Sequence, residues 1–128
     1  MKSIQSEEGK CLPNSKFELQ KWMKDLDWLQ KTVDQIQKDF DLSSLSQYRL
    51  LAIDSLPILQ EELVSILFAI ELKSQLVEQF LYRVDLPQKL NPHDLDIESL
   101  TDAVILRSFQ KVWLRKAYDE NNHVKERK

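Results

Sequence analysis

The chain has almost no glycine. Gly9 is the single one in 128 residues, and it lies in a polar N-terminal stretch. Beyond it, no residue reaches positive φ without a steric cost. That argues against two-residue hairpins of the Asn-Gly type and against glycine-built backbone nests that cradle phosphate. P-loop and dinucleotide fingerprints are absent as well. Cysteine is equally scarce. With Cys11 alone no intrachain disulfide can form, which is compatible with a reducing compartment. Two histidines, His93 and His123, leave little for imidazole chemistry. Long apolar runs are missing too. LVSILFAI (Leu63–Ile70) is bounded by Glu61, Glu62 and Glu71, and it falls far short of the roughly 20 residues that span a bilayer. The stretch MKSIQSEEGKCLPN has no apolar h-region, so no secretory signal is expected. The expectation is a soluble cytoplasmic protein with no membrane segment.

What is present is helix-forming sequence. Apolar residues make up 42% and charged residues 30%, with Leu, Gln, Glu, Lys and Asp dominant and few β-branched runs. This composition predicts an all-α fold in one domain. Residues 1–13 read as a flexible arm, 14–118 as the helical domain and 119–128 as a flexible polar tail. Ser15 opens a capping box with Glu18. Behind it, Leu19, Trp22, Leu26, Leu29, Val33, Ile36 and Phe40 recur at steps of three and four, which predicts one helix over about 15–40. Asp27 and Lys31, and Asp34 and Lys38, form acid-first pairs on its other face. A short helix is expected at about 45–54, with Leu45, Tyr48, Leu51 and Ala52 inward.

Ser55 and Pro57 then start a long helix over about 56–84. Leu59, Leu63, Ile66, Ile70, Val77, Phe80 and Val84 form its main face. Val64, Phe68, Leu72, Leu76 and Tyr82 lie behind, so this helix is expected to be packed on more than one side. Two prolines in DLPQKLNPHDLD end it. A last helix over about 97–118 follows, acidic at its start, with an arc of Ala103, Leu106, Phe109, Trp113, Leu114 and Ala117, and with Ile105 and Val112 at its edge. Three long helices and one short one make a compact bundle.

The stretch RSFQKVWLRK (Arg107–Lys116) holds four cations and no acid. Arg107, Lys111 and Arg115 step by four and form one row, which could track a phosphate backbone together with Lys116. The row has no aromatic side chain on its own face for base stacking. The net charge of −3 also differs from the basic balance usual in nucleic-acid binders. Cations near a helix C-terminus are structurally ordinary, and nucleic acid is therefore the secondary reading. The row equally suits an acidic protein partner.

Other constellations are weaker still. His93, Asp94, Asp96 and Glu98 match neither zinc spacing nor a calcium loop, so no metal is expected. Glu71 and Glu78 share a helix face and could be imagined as a carboxylate pair, but a solvated face explains them better. Tyr82 and Arg83 suit a tie at a helix end. No nucleophile and base stand in a recognisable arrangement, so no enzyme and no cofactor are expected, and an enzyme with a pocket that the sequence does not disclose is the third reading.

LYRVD (Leu81–Asp85) and ILRSFQKVWLR (Ile105–Arg115) resemble segments of small uncharacterised bacterial all-helical proteins. In those an LYR-[IV]-D segment precedes a helix of the form ILxRxxQKVxxR; here one residue fewer separates Ile-Leu from the arginine. The resemblance covers about the last 50 residues. It implies no activity. It does imply a shared architectural role for Arg83, Asp85, Arg107, Gln110, Lys111 and Arg115.

Trp28 falls off the seam of the first helix, on a flank expected to be partly exposed. It marks a candidate interface anchor, or a cover for the short helix. The seam itself could fill the core or pair with its copy in a second chain. The sequence thus points to a helical protein–protein interaction module, or a small self-associating protein. Trp28, Arg107, Lys111 and Arg115 are its candidate contacts.

Overall fold

The computed structural model describes residues 12–70, 74–87 and 90–126. Among them are five α-helices and no strand: α1 (Lys16–Trp22), α2 (Leu26–Leu42), α3 (Leu56–Ile70), α4 (Ser74–Val84) and α5 (Ile97–Glu126). A 3₁₀ turn, Pro92–Asp94, precedes α5. The all-α expectation holds. The helix α5 is the hub, because α1, α2, α3 and α4 all pack against it. Phe40 of α2 stacks on Phe80 of α4 with ring centroids 4.4 Å apart, and both rings are fully buried. A buried side chain of this size contributes roughly 1.5–3 kcal/mol.

The expected first helix is two helices. Met23 ends α1, and Asp25 caps α2 by accepting the Asp27 amide on Oδ1 at 2.9 Å. The step changes the phase of the seam. Leu26, expected inward, is 64% exposed, and Met23 is buried in its stead. The capping box at Ser15 forms, with the Glu18 amide donating to Ser15 Oγ at 3.1 Å. The Glu18 carboxylate reaches one residue further back than expected, accepting from the Asn14 amide at 2.9 Å and from the Ser15 hydroxyl. Asp27 pairs with Lys31, whereas Asp34 accepts a hydrogen bond from Gln30 Nε2.

The short helix expected at 45–54 does not form. Ser44 takes φ 64° and the Leu45 amide reaches back to the Phe40 carbonyl at 2.9 Å. This is the six-to-one bond of a Schellman ending with serine at the left-handed position. Leu45 and Phe40, the two positions such an ending brings together, are both fully buried. Beyond it the Gln37 side chain takes over backbone pairing. Its amide donates to the Tyr48 carbonyl at 2.9 Å, and its carbonyl accepts from the Leu50 amide at 2.8 Å. Leu45 and Leu50 are the buried anchors of this loop, while Leu51 is 70% exposed.

The segment expected as a single helix over 56–84 contains α3 and α4, and the expected middle at 71–73 lies outside the described residues. The main face is buried as expected at Leu59, Leu63, Ile66, Ile70, Phe80 and Val84. The second face is not. Phe68 and Tyr82 are exposed, and Val64 and Leu76 are half-buried. Asp85 ends α4 at φ 67°, its amide bonded to the Leu81 carbonyl at 3.0 Å.

The last helix starts where expected. Asp96 caps it, accepting the Ser99 amide at 2.7 Å. It runs on to Glu126 rather than ending near 118, so much of the expected tail is helical. Its buried face is centred on Ile105, Ser108, Phe109 and Val112, and Leu114 of the expected arc is exposed. No helix among the described residues is long and apolar enough to cross a membrane.

Candidate functional site

The basic row on α5 has its counterparts within the chain. Lys111 Nζ lies 2.9 Å from Asp39 Oδ2 on α2 and donates to the Arg83 carbonyl at 2.8 Å. The side chains of Lys111 and Asp39 are only 19% and 5% exposed, so this is an ion pair largely withdrawn from water. The Arg83 carbonyl belongs to the last turn of α4, where unsatisfied carbonyls and the helix dipole favour a cation. One ammonium therefore neutralises a buried carboxylate on α2 and caps α4.

The next positions along the row act in the same way. Arg107 Nε donates to the Asp85 carbonyl at 2.9 Å, and a terminal nitrogen reaches Asp85 Oδ2 at 3.2 Å. The arginine thus holds the one residue that must sit in the left-handed region at the end of α4. Such a conformation costs an ordinary residue roughly 1–2 kcal/mol. Arg107 also reaches Gln110 Oε1 at 3.4 Å. The buried amide of Gln110 donates to the Pro13 carbonyl at 2.7 Å and so ties the segment before α1 to α5. Arg115 donates to Gln35 Oε1 at 2.7 Å, and Gln35 Nε2 contacts both Asp39 oxygens at 3.4 Å.

Asp85, Arg107, Gln110, Lys111, Arg115 and the Arg83 carbonyl are thereby linked into one seam along α5, together with Gln35 and Asp39. The sequence marked the cations. It missed Gln35, Asp39 and the bond from Gln110 to the N-terminal segment. A signal was available: Gln35 and Asp39 are four apart and directly precede Ile36 and Phe40 of the buried stripe, so they border the core. The exposed end of the row is different. Lys116 is exposed and has no ion pair among the described residues. Arg115 and Lys116 help to line an open groove of about 980 Å³ between α2 and α5. Lys31, Lys38, Asp34, Asp119 and Glu120 lie on its walls.

Trp28 is half-buried. Its ring meets Trp22 edge-on at 5.3 Å and Phe109 at 5.6 Å, and Lys31 Nζ stands 5.9 Å from its centroid. It joins α1, α2 and α5 instead of covering a short helix. The seam residues Leu19, Leu29, Val33, Ile36 and Phe40 are buried in the chain's own core. That leaves them no free face for a second chain.

Of the other constellations, Asp96 is occupied as a cap. The backbone amide of Ser99, and then its side chain, hold the Asp96 carboxyl below its usual range. Asp94 lies in the 3₁₀ turn, while the His93 side chain and Glu71 fall outside the described residues. Tyr82 is 84% exposed and lines a smaller groove with Leu42, Gln75, Glu78, Gln79 and Arg83. Among the described residues, no three His, Cys, Asp or Glu side chains come together as metal ligands. Comparison with protein-family models, curated proteins and solved structures finds no match to this chain.

Proposed function

We propose that the protein is a non-enzymatic helical interaction module of the cytoplasm, which binds another protein or a second copy of itself. The observation that carries this reading is the contrast between a filled interior and bulky apolar side chains left outside it. Phe17, Leu26, Phe68 and Tyr82 are each more than 60% exposed. Leu114 and Tyr118, four residues apart on α5, are exposed too. Single exposed apolar side chains are ordinary, whereas neighbouring ones such as Leu114 and Tyr118, one helical turn apart, favour a partner. At the end of the basic row, exposed Lys116 remains available to set approach and register, whereas Arg107, Lys111 and Arg115 act within the fold.

The secondary reading, nucleic-acid binding, is weakened, since Arg107, Lys111 and Arg115 already serve Asp85, α4, Asp39 and Gln35, and Lys116 alone of the four has no partner among the described residues. Two experiments test the proposal on the full chain. Affinity capture from source-organism lysate, with and without nuclease, should recover a stoichiometric protein that survives nuclease. Sedimentation over a range of concentrations reports a second copy. Recovery lost with nuclease, and falling steeply with salt, would replace this reading by nucleic-acid binding. A monomer that recovers no protein would refute it.

A further inference from the structure

We propose that α1 exchanges between two copies of the chain: the turn at Met23–Asp25 straightens, α1 and α2 become one helix over Lys16–Leu42, and α1 of each copy takes the seat on α5 of the other. This rests on the reading of the chain as an interaction module and names the second copy as its partner. Sequence and structure disagree at the turn. The stripe from Leu19 to Phe40 keeps the spacing of a single helix, and no proline or glycine lies between Lys16 and Leu42. The chain bends there nonetheless. Met23 still has helical backbone angles, and Asp25 leaves them at φ −82° and ψ 117°. The bend brings Trp22 edge-on to Trp28 at 5.3 Å. In an unbroken helix, residues six apart are separated by about 9 Å along the axis and about a third of a turn around it. The contact therefore belongs to the bent form. The bend also turns Leu26 out of the stripe, where it is 64% exposed.

The seat on α5 is filled in the bent form by the chain's own α1. Seven residues hold a helix poorly by themselves, because nucleation is costly, so α1 depends on what it touches. That is chiefly α5. Gln110 Nε2 donates to the Pro13 carbonyl at 2.7 Å, Lys16 Nζ stands 3.1 Å from Asp102 Oδ2, and the Trp22 ring lies 5.8 Å from that of Phe109. Leu19 and Met23 are buried. The α1 of a second copy makes each of these contacts again, being the same segment on the same surface. An unrelated helix would have to reproduce the carbonyl, the ammonium and the indole together. The exchange needs no free face on either copy. It forfeits the Asp25 cap and the Trp22–Trp28 contact. It gains the helical turn across Met23–Asp25 and returns Leu26 to the stripe between Trp22 and Leu29. A short connection between two packed elements is where such exchanges hinge.

The test refolds equal amounts of unlabelled and heavy-isotope-labelled full chain together over a range of concentrations and separates monomer from dimer. A zero-length carbodiimide then joins Lys16 to Asp102, and mass spectrometry reads whether the two linked peptides carry the same label. The expected result is a dimer whose links carry mixed labels in the proportion of random pairing, and a monomer with matched labels only. Asp25→Ala removes the cap of the bent form and should tighten the dimer at least tenfold. Asp25→Pro accepts the observed φ of −82° but interrupts the straight helix, and should abolish the dimer. Leu26→Ser should weaken the dimer while leaving the melting temperature of the monomer unchanged. A dimer with matched labels only overturns the exchange and leaves self-association standing. Wild type and Asp25→Ala that both stay monomeric at every concentration also overturn it, and the lysate capture then decides the interaction reading by itself. Equal dimerisation of wild type, Asp25→Ala and Asp25→Pro removes Met23–Asp25 as the hinge and overturns it as well.

Discussion

Replacing Lys111 by methionine should destabilise the fold strongly. Methionine keeps most of the aliphatic stem in place and removes the ammonium. Asp39 is then left 5% exposed with only the two 3.4 Å contacts from Gln35 Nε2, and the Arg83 carbonyl loses its 2.8 Å donor. Breaking one side of a buried pair typically costs about 3–5 kcal/mol. Because the lysine side chain retains 19% exposure, water can partly replace it, and we expect about 2–4 kcal/mol. With a urea m-value of about 2 kcal/mol/M, a loss of 3 kcal/mol lowers the unfolding midpoint by roughly 1.5 M. Adding Asp39→Asn removes the stranded charge and should recover about 1–3 kcal/mol as coupling between the two sites. A Lys111→Met midpoint within error of wild type would refute the account. So would a double variant no more stable than the single one, since the carboxylate would then not be what suffers.

The remaining predictions concern local structure. Ser44→Gly should raise stability by about 0.5–1 kcal/mol, because glycine takes the left-handed position without steric cost; an unchanged or lower urea midpoint would contradict it. Gln37→Ala should cost about 1–3 kcal/mol by leaving the Tyr48 carbonyl and the Leu50 amide without their partner, and hydrogen exchange at Leu50 should rise. Asp96 is held below its usual range in the folded state, so its contribution is present above about pH 4 and is lost as pH falls through the folded value. Asp96→Asn caps without titrating, so its melting temperature should fall less steeply in acid than that of the wild type; parallel curves would show that the cap is not the acid-sensitive element.

Much of the fold was legible because helix signals are local. The Ser15 cap, the acidic start of α5 near 97, the buried stripe from Leu29 to Phe40 and most of the main faces of α3 and α4 follow from spacing, capping and charge placement alone. The errors arose where a local signal competed with a stronger-looking one. The step of three and four from Leu19 to Phe40 suggested a continuous helix and masked Asp25, a good cap followed by Asp27 in the first turn. The segment 45–54 has helical spacing, but its backbone is claimed by Gln37, eleven residues before Tyr48. Nothing within a short window announces that bond.

The cations of α5 show a second limit. A helix read alone offers two explanations for Arg107, Lys111 and Arg115: its own C-terminal dipole, or an external anion. The structure supplies a third, the C-terminus of a different helix. Lys111 and Arg107 lie across the end of α4, with a buried carboxylate on α2 as counter-ion. The attraction between charge and dipole is the one expected, but the dipole belongs to a neighbour 22 to 28 residues away. Binding an external phosphate through Arg107 or Lys111 would therefore mean uncapping α4 and stranding Asp39, at a cost comparable to the few kcal/mol worked out above. A phosphate contact at the surface has to overcome that loss before it yields affinity. The row is therefore suited to holding α4 against α2.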